Sequence, residues 1–394
     1  MKKLYCLVVV FLLILSGEIF ACTSAIFSGK STKDGRPLMW KHRDTGEENN
    51  RIEFFKGEKY SFIALMNSPS NTKEAWSGTN EVGFCIMNTA SYNLKDDDVK
   101  QELMDKEGVL MFKALATCKN LKDFEKFLDE YNQPRGVEAN FGVIDAEGGA
   151  AYYEVNNNSW KKIDVNDERI TPQGYVVYTN FSYNGRKDEG LGYIRYTTAD
   201  KLIKDQICRN GEITPKWIMQ NLSRSFYHSI LGIDLVKDKE LVDKCNGWFI
   251  EQDFISRNSS ASSIVFEGVK MGENPLNTIM WTILGYPPAG ITVPLMVGLK
   301  ENQPLFMTKS SNSNNAKMCD WVLEKKREIF PIKRGSGKRY FNFYKISEFM
   351  KQSIEIENQI FSLSSPIIND IRANKKQTYE LRKVYEFVEE KLNF

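Results

Sequence analysis

The chain has 394 residues, 42% of them hydrophobic, and its 53 basic and 51 acidic residues leave a net charge of +2. It has no dense basic block, so its charge does not indicate nucleic acid as a partner. It has two histidines, His42 and His228, and no CxxC motif or Cys/His cluster, which argues against a structural zinc site and a Ser-His-Asp hydrolase.

The N-terminus has the pattern of a secretory signal peptide. Lys2 and Lys3 precede the apolar run "LVVVFLLIL" (7–15), and "SGEIFA" ends on the small residue Ala21. A permanent membrane helix needs roughly 20 apolar residues, and neither this run nor any later segment is long enough. We therefore predict a signal peptide over residues 1–21 and an exported protein, periplasmic or extracellular, with no membrane span.

The next segment is predicted to be a β-hairpin. The strand-like stretches "CTSAIFSG" and "PLMWKHRD" flank "KSTKDGR", in which Asp34-Gly35 is a strong hairpin-turn signal. If these two residues form the loop, residue 22 faces residue 47. The charged cluster 41–44 then returns close to Cys22.

Further strands and helices alternate along the chain. Strands are predicted within 79–91, 139–155, 174–185, 259–269 and 290–299, and helices over 100–117, 121–131, 193–206 and 366–392. In the last helix, Leu381, Tyr385, Val388 and Leu392 share one face, which is typical of a core-facing helix. Strands first and helices later predict a layered α+β fold. The polar stretches 310–317 and 333–340 are predicted loops before and within a C-terminal helical appendage.

Three fates are open to Cys22. A lipid anchor requires a lipobox, but Phe20 is bulky where a small residue is usual. A disulfide is the second fate, because six cysteines remain after residue 21: Cys22, Cys85, Cys118, Cys208, Cys245 and Cys319. The third fate follows from cleavage after Ala21, which would leave Cys22 with a thiol and a free α-amine. An α-amine titrates at about 7.7–8.0 and can act as the base for the thiol beside it.

Several motifs resemble one family of enzymes. The segment "CTSAIFSGKSTKDGRPLMWKHRD" is followed in order by "NEVGFCIMNTAS", "NFGVIDAEGGAAYYEV", "YTNF" and "GLGYIRYTTAD". Together they resemble the cysteine-type N-terminal-nucleophile (Ntn) hydrolases, the superfamily of choloylglycine hydrolases, penicillin V acylases, acid amidases of N-acylethanolamines and acyl-CoA:6-aminopenicillanate acyltransferases. The resemblance covers roughly residues 22–200 well. It implies a four-layer αββα sandwich, with a catalytic domain over 22–320 and a mainly helical extension over 321–394 packed on it.

The resemblance also implies roles at the start of the chain. Cys22 is similar to the family nucleophile and its α-amine to the proton shuttle. Asp44, at the end of "KHRD", resembles the aspartate that holds the α-amine and thiol in place. The family usually has arginine three residues earlier, where this chain has Lys41, so Lys41 is either a thiolate-stabilising group or a surface lysine. Arg43 is expected on the same face of the strand as Lys41.

Three later residues complete the implied site. Asn88 resembles the side-chain donor of the oxyanion hole, although an asparagine at a strand end also suits a turn. Asn180, in "YTNF", resembles a second active-site asparagine. Arg195 resembles the distal arginine near the nucleophile, or is a solvent-facing helix residue. Trp40, Trp76, Phe84 and Tyr92 are candidates for an acyl pocket or for ordinary core.

These features predict an exported hydrolase of linear amides that acts through an acyl-Cys22 thioester, without metal or cofactor. The substrate is predicted to be a small-molecule amide, either an N-acyl conjugate or a short peptide. The oligomers of the superfamily favour a homo-oligomer. The alternatives are an acyltransferase or dipeptidase on the same scaffold, a lipid-anchored surface protein, and a disulfide-bonded secreted module.

Overall fold

The structure is a computed structural model. It describes residues 21–69, 72–251, 253–309, 314–334 and 339–394. The predicted signal peptide lies outside these residues except for Ala21. Parts of the two predicted polar loops, 310–313 and 335–338, also lie outside them.

The described residues form eighteen strands and eight α-helices. The strands are β1 Thr23–Phe27, β2 Leu38–Asp44, β3 Asn50–Phe55, β4 Phe62–Asn67, β5 Ser77–Asn80, β6 Cys85–Ala90, β7 Ala139–Ile144, β8 Ala150–Val155, β9 Trp160–Asp164, β10 Tyr175–Tyr178, β11 Tyr227–His228, β12 Ile233–Asp234, β13 Trp248–Ile250, β14 Ser260–Glu267, β15 Ile279–Leu284, β16 Val293–Leu295, β17 Ile332–Lys333 and β18 Arg339–Asn342. The helices are α1 Glu107–Thr117, α2 Leu121–Glu130, α3 Tyr193–Asn210, α4 Pro215–Trp217, α5 Lys239–Lys244, α6 Lys317–Ile329, α7 Phe343–Arg372 and α8 Arg382–Leu392. Short 3₁₀ turns and one π-helical turn, Ile218–Leu222, connect them.

One antiparallel sheet carries the start of the predicted mature chain. Its strand order is β10-β1-β2-β14-β15-β16, so β1 and β2 lie inside the sheet. The predicted two-residue hairpin loop is wrong, because β1 and β2 are joined by residues 28–37 and Thr23 pairs with His42 rather than with position 46. The reason is that Ser28 and Ser31 turn the chain towards β10, where both hydroxyls donate to the Gly174 carbonyl. The charged residues 41–44 nevertheless return beside Cys22.

The second antiparallel sheet is a meander of seven strands, β3 to β9 in sequence order. It contains the predicted hairpins within 79–91 and 139–155, the first of which turns through Gly83 at φ +78°. A left-handed φ is readily adopted by glycine and disfavoured in residues with a Cβ atom. The predicted hairpins are therefore confirmed.

The two sheets pack face to face between layers of helix. Between the sheets, Ser24 Oγ lies 2.9 Å from the Tyr152 hydroxyl. On the outer face of the seven-stranded sheet, Phe124 of α2 packs edge-on against Tyr153. On the outer face of the six-stranded sheet, Phe361 of α7 stacks on Trp281. This arrangement is the predicted α+β fold with αββα layers.

The C-terminal helices share the core of the six-stranded sheet. The single helix predicted over 366–392 is wrong, because α7 ends at Arg372 and α8 begins at Arg382, with Asn374 in a left-handed conformation at φ +56°. The predicted apolar face of α8 is confirmed by the burial of Val388.

The longest helix is also tied to the rest of the fold by charge. Glu357 of α7 accepts two hydrogen bonds from the buried Arg224, at 2.7 and 2.8 Å.

The predicted boundary between the catalytic domain and the helical extension, at position 320, falls inside α6, and this division stays a prediction. Within the described ranges, no helix is both long and apolar enough to cross a membrane.

Candidate active site

Cys22 sits immediately before β1 and is 7% exposed. Its nitrogen donates to Asn180 Oδ1 at 3.0 Å, and its carbonyl accepts from Arg195 Nη1 at 2.5 Å. That nitrogen is a peptide nitrogen bonded to Ala21 and stands in the position of the α-amine that cleavage would expose. Both backbone polar groups of Cys22 are therefore fixed.

Strand alternation explains which side chains meet Cys22. Successive residues of a strand point to opposite faces, so Ser24, Lys41 and Arg43 face the seven-stranded sheet. Thr23 faces the opposite layer, where its hydroxyl accepts from Arg195 of α3 at 2.9 Å. The prediction that Lys41 and Arg43 share a face is confirmed by the cavity that both of them line together with Cys22.

Lys41 is buried rather than at the surface. Its Nζ donates to the Trp76 carbonyl at 2.6 Å and to Asn88 Oδ1 at 2.7 Å. Burial lowers the pKa of Lys41 to about 7, Arg43 acts in the same direction, and the negative charges of Cys22 and Glu107 oppose the change. An ammonium group beside the thiol can therefore lose its proton near neutral pH.

The contact with Lys41 fixes the orientation of the Asn88 amide. Lys41 Nζ is the donor in this contact, so the atom of Asn88 that faces it is the carbonyl oxygen. The Nδ2 donor then points away from Lys41, and Asn88 lines the cavity that holds Cys22. A fixed amide donor at that wall is what an oxyanion hole requires.

Asn180 and Arg195 hold the backbone of Cys22 through hydrogen bonds. Asn180 Oδ1 accepts from both Cys22 and Arg195 Nη2, the latter at 2.8 Å, while its Nδ2 donates to the Ala90 carbonyl at 2.9 Å. Arg195 is 1% exposed, so it does not face solvent. Burial lowers the pKa of Arg195 to about 9, and Arg257 adds to this effect.

Asp44 lines the cavity, but its carboxylate is bound by other groups. Arg257 donates to Oδ2 at 3.0 and 2.7 Å, and Ser260 donates to Oδ1 at 2.7 Å. The contact to the Cys22 nitrogen that the family pattern implies for Asp44 is made by Asn180. Sequence reasoning missed Arg257 and Ser260, whose placement depends on the pairing of β14 with β2.

His42 belongs to the same polar network. Its Nε2 lies 2.8 Å from Ser260 Oγ, and its Nδ1 is buried without a hydrogen-bond partner. Burial lowers the pKa of His42 to about 4, so the ring is neutral at physiological pH. On strand β2, His42 faces away from Lys41 and the cavity.

The cavity beside Cys22 has a volume of about 450 Å³. Of the four predicted acyl-pocket aromatics, Trp76 and Tyr92 line it, whereas Trp40 donates to Ser223 and Ser263 and Phe84 packs with the helices on the far side of the seven-stranded sheet. Two larger cavities, of about 660 and 720 Å³, are lined by none of the predicted site residues. The residues that line this cavity, rather than its volume, therefore identify it as the candidate site.

The cavity wall also carries residues that sequence reasoning did not select. They are Thr45, Gly46, Glu47, Asn67, Ala90, Ser91, Gln101, Met104, Asp105, Glu107 and Glu138. Most lie in loops or at helix ends, where no pattern indicates what they face. Within the part of the chain that the structure describes, no group of three or more His, Cys, Asp or Glu side chains is placed to hold a metal ion.

The buried lysine predicts a pH-dependent stability. The folded-state pKa of Lys41, about 7, lies below the ordinary value of 10.5, so the unfolded chain binds more protons between these values and the free energy of unfolding rises with pH there. Relative to Lys41→Met, the wild-type chain should gain about 2 kcal/mol between pH 7 and pH 9. Urea unfolding of both chains at pH 7, 8 and 9, with a thiol reductant present, measures this difference. Parallel pH profiles for the two chains would contradict it.

No protein-family model and no curated protein sequence matches the chain. The solved structures to which its structure is similar include those of three enzymes. They are an N-acylethanolamine-hydrolyzing acid amidase ortholog of Caenorhabditis elegans (13% identity, TM-score 0.42, 62% of this chain and 92% of that chain), a variant of conjugated bile acid hydrolase of Clostridium perfringens (13%, 0.37, 67% and 89%) and penicillin V acylase of Agrobacterium tumefaciens (11%, 0.33, 70% and 86%). The likeness is distant, so the function proposed below rests on the site itself.

Proposed function

We propose that this chain is an exported cysteine Ntn hydrolase of linear amides. Cleavage between Ala21 and Cys22 would expose the nucleophile and its base on one residue. The substrate is a small-molecule amide, an N-acyl conjugate or a short peptide. The observation that carries the proposal is that Cys22, held at its nitrogen by Asn180 and at its carbonyl by Arg195, borders a cavity with a fixed amide donor, Asn88.

Three basic side chains lie within electrostatic range of Cys22. The negative charge of Cys22 raises the pKa values of Lys41, Arg43 and Arg195, although burial outweighs it in each case. The proposed nucleophile therefore lies in a basic environment.

The acylation step follows from these contacts. The α-amine takes the thiol proton, and Sγ attacks the amide carbonyl carbon. The carbonyl oxygen becomes an oxyanion that accepts a hydrogen bond from Asn88 Nδ2. When the oxyanion collapses, the C–N bond breaks, the α-ammonium gives its proton to the leaving amine, and the acyl group stays on Cys22 as a thioester.

In deacylation, water attacks the thioester and the Cys22 thiolate is the leaving group. The α-amine takes a proton from water while the water oxygen attacks the thioester carbonyl. Collapse of the second oxyanion breaks the C–S bond, and the thiolate regains its proton from the α-ammonium. The products are a carboxylic acid and an amine, so one water molecule is consumed in each cycle.

The rival functions require a different environment for Cys22. A lipid anchor needs an exposed N-terminal cysteine, whereas Cys22 is buried with both backbone groups bonded. A disulfide-bonded module needs a paired cysteine, whereas all six cysteines of the described residues are free. An acyltransferase or dipeptidase would use the same site, and competition between an amine and water for the acyl group separates it from a hydrolase.

The proposal is tested by intact mass. Protein purified from its native host should have the mass of residues 22–394 with no adduct. Mixing with an amide substrate panel, followed by acid quenching, should add the acyl mass on Cys22, located by peptide mapping. A mature protein with acyl chains on Cys22 before any substrate is added, or one that starts at another residue, would overturn the proposal.

A further inference from the structure

The cavity beside Cys22 has an acidic wall. Glu47, Asp105, Glu107 and Glu138 all line it. The negative charges of Cys22, Asp105 and Glu107 all act to raise the pKa of Tyr92, so this wall lies near the proposed nucleophile. The four carboxylates are in addition to Asp44, which Arg257 already neutralises.

The two cations that line the cavity make their hydrogen bonds to neutral groups rather than to this wall. Lys41 donates to the Trp76 carbonyl and to Asn88. Arg43 donates to Asn50 Oδ1 and Asn67 Oδ1, both at 2.8 Å. Among the described residues, the two cations and the four wall carboxylates form no ion pairs, although the charge of Glu107 acts on Lys41 and that of Glu47 acts on Arg43.

Glu107 is the most buried of the four. It lies at the first position of α1 and is 7% exposed, and its Oε1 accepts from the Glu138 amide at 3.1 Å. Burial raises the pKa of Glu107 to about 7, and the charges of Asp105 and Glu138 act in the same direction. Lys41 acts on Glu107 through its charge but forms no ion pair with it among the described residues, so a ligand cation in the cavity would stabilise the charged form of Glu107.

We propose that this wall selects amides that carry an ammonium group, with Glu107 accepting a hydrogen bond from that group while the scissile carbonyl lies between Cys22 and Asn88. The inference rests on the proposed function and specifies its substrate class. Glu107 is then a specificity-determining residue. The ammonium group belongs either to the acyl part or to the amine part of the amide, and separate substrates distinguish these two cases.

The experiment uses the chain that begins at Cys22 with matched pairs of substrates. For the acyl part, β-alanyl, 4-aminobutyryl and 6-aminohexanoyl p-nitroanilides are each compared with the N-acetylated form. For the amine part, N-butyryl-1,5-diaminopentane is compared with N-butyrylpentylamine. On at least one pair, kcat/KM should be about 10- to 100-fold higher for the ammonium substrate, the range of a charge-assisted hydrogen bond.

Two variants locate the source of this preference. Glu107→Gln keeps an acceptor for the Glu138 amide but removes the charge, and should reduce the ratio of kcat/KM within the pair to about 1. Glu102→Gln is the matched control, because Glu102 lies in the 3₁₀ turn before α1, is exposed and, among the described residues, pairs with Lys100. It should leave the ratio unchanged. If Glu107→Gln does not fold, Asp105→Asn replaces it.

The outcomes separate this inference from the proposed function. If the wild-type chain hydrolyses the neutral member of every pair as well as the ammonium member, the inference is overturned while the amidase stands. If Glu107→Gln leaves the preference intact, Glu107 does not provide it and the inference is also overturned. If no substrate forms an acyl adduct on Cys22, the proposed function itself has failed.

Discussion

Replacing Cys22 by alanine in a chain that begins at residue 22 is expected to lower kcat for amide hydrolysis on the order of 10⁴-fold or more, as for the nucleophiles of other hydrolases. The variant keeps the α-amine, its bond to Asn180 and the donor at Asn88, so it loses only the atom that would form the thioester. Initial rates on the best amide of the substrate panel measure the loss. Circular dichroism should be unchanged, because the substitution removes a single sulfur atom at the cavity wall.

A chain that retains Ala21 is a sharper control. It keeps the thiol, and its Cys22 nitrogen can make the hydrogen bond to Asn180 that the structure contains. Its Cys22 has no basic nitrogen, because a peptide nitrogen does not take a proton near neutral pH. We expect it to be as inactive as Cys22→Ala. Full activity with Ala21 in place would mean that another group activates the thiol and that the chain is not an N-terminal-nucleophile enzyme.

The local part of this site was predictable from the sequence. Turn residues and apolar alternation place the hairpins that hold Asn88, and the run "YVVYTN" places Asn180 just beyond the end of β10. Strand periodicity alone puts Lys41 and Arg43 on one face. The structure brings Cys22 together with Asn180 and Arg195, and Lys41 together with Asn88, which are residues that the sequence resemblance singles out.

The contacts between residues that are far apart in the sequence could not be predicted in the same way. The β1–β2 register depends on hydrogen bonds from Ser28 and Ser31 to a carbonyl about 145 residues later in the chain, as the contact separations of 146 and 143 show. The partners of Asp44 come from β14 and the loop before it, which no spacing rule connects to β2. Glu107 is buried only because α1 begins at the cavity wall, and a glutamate at a helix start is ordinarily read as a surface residue that favours the helix dipole.

The second large effect is expected at Asn88. Asn88→Leu removes the amide and should lower kcat on the order of 10²- to 10³-fold with little change in KM, because the lost hydrogen bond strengthens as the oxyanion forms. Stopped assays on one amide substrate give both constants. Asn132→Leu is the matched control, since Asn132 is an exposed asparagine in the loop after α2 and should retain wild-type rates.

Asn88→Asp separates the two roles that Asn88 could have. The aspartate is close to asparagine in size and offers Lys41 an even better acceptor, so it preserves the contact now made at 2.7 Å. It also replaces the Nδ2 donor with a negatively charged oxygen that would face the oxyanion. If Asn88 stabilises the oxyanion, Asn88→Asp must be less active than Asn88→Leu. The reverse order would mean that Asn88 acts only by holding Lys41, and that the oxyanion is bound by another donor of the cavity.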